Sequence, residues 1–164
     1  MRKVWVLLVL GFVLGVSAQQ GPPDPALRER FQALRPVFEL AATVRLLLEM
    51  DQEKGLAFSR AQAQRLVPLL KRLAALPDLK PQEAEKALAE IEDKILTPAQ
   101  LKWLDTRRLA LERERQNRQG PPPGTSPQGS QAFQALARGE PFNPLRQGPA
   151  AEALKTLLAR LEKR

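Results

Sequence analysis

The chain contains no histidine, no cysteine and no tyrosine. Without histidine and cysteine the usual zinc and copper ligand sets cannot be assembled. The commonest general base and the thiol nucleophile are missing as well. The expectation is a protein that is not an enzyme and uses no metal and no cofactor. The lack of cysteine also rules out disulfides, so the fold must be held by burial, and it excludes a lipid-modified N-terminus. No stretch alternates with period 2 for long, and no cluster of β-branched residues is bounded by turn signals, so no strand is expected. Long apolar runs are lacking too. The longest, Val4 to Ala18, falls short of the ~20 residues that a membrane-spanning helix needs.

That run instead has the order of a secretory leader. Arg2 and Lys3 form a positive start, Val4 to Leu14 an apolar centre, and Gly15-Val16-Ser17-Ala18 the small residues read by a signal peptidase. Residues 1–18 are expected to be a signal peptide cleaved after Ala18, which places the protein in the periplasm or outside the cell. The net charge is +8, with Arg2 and Lys3 in the leader. In the cytoplasm such a balance would point to nucleic acid. In an exported protein no nucleic acid is expected, and the partners to consider are anionic headgroups, wall polymers or acidic stretches of unfolded proteins. Glu83, Glu85, Glu90, Glu92 and Asp93 cluster, but among lysines at helical spacing. They read as a salt-bridged face rather than a carboxylate site.

Helical periodicity dominates the rest. Asp24-Pro25 opens a helix with Leu27, Phe31 and Leu34 on one face, and Pro36 interrupts it. Val37, Leu40, Ala41, Val44, Leu47 and Leu48 form a second stripe ending near Gly55. Leu66, Val67, Leu70, Leu73 and Ala74 mark a third, with curvature expected at Pro68. Ala84, Leu88, Ile91 and Ile95 follow Pro81 at coiled-coil spacing. Leu101, Leu104 and Leu111 follow Pro98, and Glu112 to Arg118 should project into solvent. The domain plan is a helical domain over 19–118, a Pro/Gly/Ser/Gln-rich, weakly ordered linker over 119–149, and a C-terminal amphipathic helix over 150–164. The C-terminal seam is Ala151, Leu154, Leu158 and Leu161. A helix that short is marginal alone, so its seam must be covered, and docking on its own bundle is the favoured outcome. The fold class is all-α: antiparallel helical hairpins in a bundle of about four core helices.

One pattern occurs twice. Phe58-Ser59-Arg60-Ala61-Gln62 and Leu96-Thr97-Pro98-Ala99-Gln100 share the form apolar, hydroxyl, x, Ala, Gln. Ser59 and Thr97 can each cap a helix by accepting the N–H of the third helical residue. Gln62 and Gln100 can reach back to the cap's own N–H, completing a capping box. Pro98 fits the first helical position, and Leu96 before the cap can pack as a hydrophobic staple. A doubled box in an exported, cysteine-free, helical, basic chain resembles the LTxxQ-motif family of small periplasmic proteins, the Spy/CpxP-like group. The second copy matches the motif fully. The first has Phe for Leu and Ser for Thr. The resemblance covers about Phe58 to Arg118 and implies a long-helix homodimer shaped as a shallow cradle. It also implies either an ATP-independent chaperone or a restraint on an envelope-stress sensor kinase.

The functional expectation is therefore a chaperone-like binder of unfolded or acidic envelope proteins, working by charge attraction and local burial. The alternative is a regulatory partner of a membrane sensor kinase or transporter. A membrane-surface or wall-associated structural protein is a further class, but no strongly amphipathic basic helix with exposed aromatics supports it. Candidate contacts are the cations Arg45, Arg65, Lys71, Arg72, Arg107 and Arg108, with Phe38, Leu46 and Trp103 as apolar neighbours lying off the inward stripes.

Overall fold

The computed structural model describes residues 25–117 and 138–164. The expected leader, Arg118 and the 119–137 part of the expected linker lie outside the described residues. Among the described residues the secondary structure is all-helical, with no strand. The helices are α1 (Pro25–Ala33), α2 (Arg35–Gln52), α3 (Arg60–Ala75), α4 (Pro81–Ala89), α5 (Pro98–Asn117) and α6 (Pro149–Leu161). A π-helical segment, Glu90–Ile95, continues α4 without a break.

The break expected at Pro36 falls two residues earlier. Leu34 is a single turn residue (φ −87°, ψ 4°), and Pro36 then sits in the first turn of α2, where its missing N–H has no helical partner to lose. Phe38 N–H still donates to the Leu34 carbonyl at 3.2 Å, so α1 and α2 remain nearly continuous. Gly55 (φ +82°) closes the turn after α2. α3 runs through Pro68 as one helix.

α2 is the central element and packs against α1, α4, α5 and α6, while α3 packs against α6 and the π segment. The stripe Val37, Leu40, Val44 and Leu47 is fully buried, as are Leu66, Leu70 and Ile91. Each such leucine or isoleucine contributes about 1.5–3 kcal/mol of transfer free energy. The coiled-coil reading of 84, 88, 91 and 95 holds only in part, because Ala87 is buried and Leu88 is half-buried. In α5, Leu104 is buried as expected, but Leu101 and Leu111 are half-buried and the polar Gln100 is buried. Residues 112–117 are exposed, as expected.

The C-terminal seam is docked on its own bundle, against α2 and α3. Its phase differs from the expectation. Ala150, Leu154, Leu157 and Leu161 are buried, whereas Ala151 and Leu158 are half-buried. The segment entering α6 was expected to be weakly ordered, yet it contributes Asn143 and Leu145 to the core. Asn143 Nδ2 donates to the Leu73 and Leu76 carbonyls, both at 2.8 Å, and so satisfies acceptors at the end of α3. Leu79 N–H donates to the Phe142 carbonyl (2.9 Å), and Phe142 N–H donates to Asp78 Oδ1 (3.1 Å). This segment therefore clamps the α3–α4 turn. The hydrogen bond to the Lys80 ammonium, followed by the one from Phe142 N–H, holds the Asp78 carboxyl below its ordinary range against a smaller effect of burial.

Candidate functional site

Both capping boxes form. Gln62 N–H donates to Ser59 Oγ (3.2 Å) and Ser59 N–H to Gln62 Oε1 (2.9 Å). Gln100 N–H donates to Thr97 Oγ1 (3.3 Å) and Thr97 N–H to Gln100 Oε1 (2.9 Å). Phe58, before the first cap, is buried, and Leu96, before the second, is half-buried against the core.

The boxes are also fused, which their spacing along the chain does not reveal. Gln62 Nε2 donates to Gln100 Oε1 at 2.6 Å and to the Ile95 carbonyl at 2.8 Å. Gln100 Nε2 donates to the Leu56 carbonyl at 2.8 Å. Each glutamine thus uses its oxygen for its own cap, while its amide nitrogen reaches across, that of Gln62 to Gln100 and that of Gln100 to the turn before the first copy. The π segment makes this possible. Leu96 N–H reaches back five residues to the Ile91 carbonyl (2.9 Å), and the Lys94 and Ile95 carbonyls are left to accept from α3. Arg65 donates to the first and Gln62 to the second. The arrangement joins the starts of α3 and α5 through hydrogen bonds.

A second cluster lies beside the first cap and was not expected. The Asp51 carboxylate is fully buried. It accepts from Arg160 Nε (2.9 Å), from Arg164 (2.7 Å) and from Phe58 N–H (3.2 Å). Burial pushes its pKa up, but the Arg160 hydrogen bond, the Phe58 N–H and the Arg164 charge together outweigh that and hold it below the ordinary value. Arg164 also donates to the Phe58 carbonyl at 2.6 Å. The signal in the sequence was positional: Asp51 stands where the apolar stripe Val44, Leu47 would continue, and Arg160 and Arg164 are one turn apart beside Leu161.

The candidate contact residues divide between helices. Leu46 is corrected outright: at 3% exposure it is a core residue of α2 and offers no free surface. Phe38 is half-buried between Phe31 (ring centroids 6.0 Å) and Phe142 (5.7 Å). Trp103 is half-buried against the core. Arg107 pairs with Glu49 (3.2 Å), and Arg108 with Glu92 (2.6 Å) and Thr43 (2.8 Å), so both tie α5 to its neighbours. Lys71 pairs with Glu162 at 2.6 Å. Arg45 and Arg72 are exposed and have no partner among the described residues. The carboxylates expected on a salt-bridged face behave so at Glu92, while Glu83 accepts from Lys80 N–H. No group of residues that could hold a metal ion occurs among the described residues.

No family model, no curated protein and no solved structure matches this chain. None of the described helices is long and apolar enough to cross a membrane.

Proposed function

We propose that this chain is an exported, non-enzymatic helical binder that holds unfolded envelope proteins without ATP, in the manner of the LTxxQ-motif proteins its doubled box resembles. The observation that carries the reading is the charge of α3. From Arg60 to Ala75 it bears Arg60, Arg65, Lys71 and Arg72 and no carboxylate. Arg72 on α3 and Arg45 on α2 are exposed and have no partner among the described residues. Unpaired surface cations attract acidic chains at long range and cost nothing in broken ion pairs when a client arrives.

A regulator of a membrane sensor or transporter would use its C-terminal helix as a free docking element. The seating of α6 on α2 and α3 supports the chaperone reading over that one. The test is light scattering of a denatured acidic client with sub-stoichiometric protein. Suppressed aggregation supports the reading. No suppression, with binding to one folded envelope protein, overturns it in favour of the regulator. Export is tested separately by N-terminal sequencing from the native host, which should begin near Gln19, and the homodimer by light-scattering mass.

A further inference from the structure

α3 and α6 leave an open groove of about 310 Å³ between them. Its floor is apolar, made by Ala63, Val67, Pro68 and Leu161, and Arg60 and Gln64 stand on its rim. Pro68 has no N–H to give the carbonyl one turn before it, that of Gln64, so this carbonyl lacks its usual helical donor. Two charged side chains at the edge are already committed. Glu162 is held by Lys71, and Arg164 by Asp51 and the Phe58 carbonyl. Arg60 is exposed and has no partner among the described residues, and Arg72 continues the positive charge along α3.

We propose that this groove binds an extended acidic peptide segment carrying one large apolar side chain. The side chain would cover Val67, Pro68 and Leu161. Flanking carboxylates would pair with Arg60 and Arg72, and a peptide N–H would meet the Gln64 carbonyl. The occupant is chosen by charge complementarity, since α3 contributes cations and no anion to this face. A lipid surface fits less well. It would need apolar side chains standing proud of the protein, and the large hydrophobic that is exposed among the described residues, Leu109, lies on α5. The proposal names a binding site for the chaperone reading and rests on it for its biological meaning, but the peptide interaction is measurable alone.

The experiment uses the full chain and a fluorescein-labelled twelve-residue peptide with a central phenylalanine flanked by aspartate and glutamate, read by anisotropy. Arg60→Glu and Gln64→Glu are the variants. Both positions are exposed, and at Arg60, in the first turn of α3, a glutamate also suits the helix dipole, so the fold is retained. Each should weaken binding at least tenfold, and replacing the peptide's phenylalanine by serine should do the same. Equal affinity for the serine peptide would overturn the proposal, because charge alone would then explain capture. So would unchanged binding by Arg60→Glu, or displacement of the peptide by phosphatidylglycerol vesicles with lysine-flanked peptide binding equally well. Aggregation suppression by the wild type with no peptide binding overturns the groove and leaves the chaperone reading standing. Peptide binding without suppression does the reverse.

Discussion

At the scale of single residues the molecule depends on a few buried polar groups, and among the described residues no buried side-chain polar atom lacks a hydrogen-bond partner. Asp51 is the clearest. Its folded pKa is held below the ordinary value, so it adds stability above the unfolded pKa of about 3.9 and loses it as pH falls through the folded value. Asp51→Asn should cost about 1.5–3 kcal/mol at pH 7, since hydrogen bonds to a charged group are lost. It should also flatten the acid limb of stability, which urea melts between pH 7 and pH 3 will show. Gln100 offers a second test. Thr97→Ala removes one cap and should cost about 1 kcal/mol. Gln100→Ala should cost more, because the Leu56 carbonyl and the Gln62 amide lose a partner as well. A double-mutant cycle on Gln62 and Gln100 should show a coupling of at least about 0.5 kcal/mol, whereas additive losses would mean that the two boxes act separately. Much of this scale was hidden in the sequence. Hydroxyl-x-x-Gln announces a cap locally, but the amide link between the two glutamines exists only once α3 and α5 begin side by side. Asp51 was overlooked because a carboxylate on an apolar stripe becomes intelligible only when its arginines, more than a hundred positions away, are placed.

At the scale of elements, periodicity located every described α-helix, whereas the docking of the last one was expected only because its leucine seam needs a cover. Periodicity erred where a helix is covered on more than one side. A stripe analysis assumes one buried face, and α2 is packed by α4, α5 and α6, so Leu46 is buried along with Leu47. The seam of α6 was misplaced between adjacent phases for a similar reason, since leucines at 157 and 158 serve either. The order of the stretch before α6 is not legible in its sequence because it rests on hydrogen bonds of Asn143 and Phe142 to the end of α3 and the turn after it, more than sixty positions away. Two outcomes test these elements. Removing residues 119–164 should lower the melting temperature by at least about 10 °C, as the deletion strips Leu154, Leu157 and Leu161 from the core. An unchanged melt would mean that α6 contributes nothing to the bundle. Gly148, which starts α6, has φ 77° and ψ −163°, a region open essentially to glycine alone. A Cβ there meets no neighbouring atom, so Gly148→Ala should destabilise by about 1–3 kcal/mol through backbone strain. A neutral result would show that the entry to α6 can relax.

At the scale of the whole molecule, charge and connectivity matter most. With a net charge of +8, two of whose cations (Arg2 and Lys3) lie in the expected leader, the proposed client association should slow between low and physiological salt, where the Debye length shrinks to about 8 Å, while dissociation changes little. Stopped-flow fluorescence at two salt concentrations measures both, and a salt-insensitive association rate would remove charge from the encounter. The ion pairs of Asp51 have a consequence for time rather than for energy. They join residues 109 and 113 positions apart, so the longest loops in the described fold close only when α6 arrives. Contacts of that range form late on the way to the native state. Arg160→Ala should therefore leave the refolding rate almost untouched and act on the unfolding rate. A chain whose closing step waits for α6 stays unlocked until the last described helix is seated.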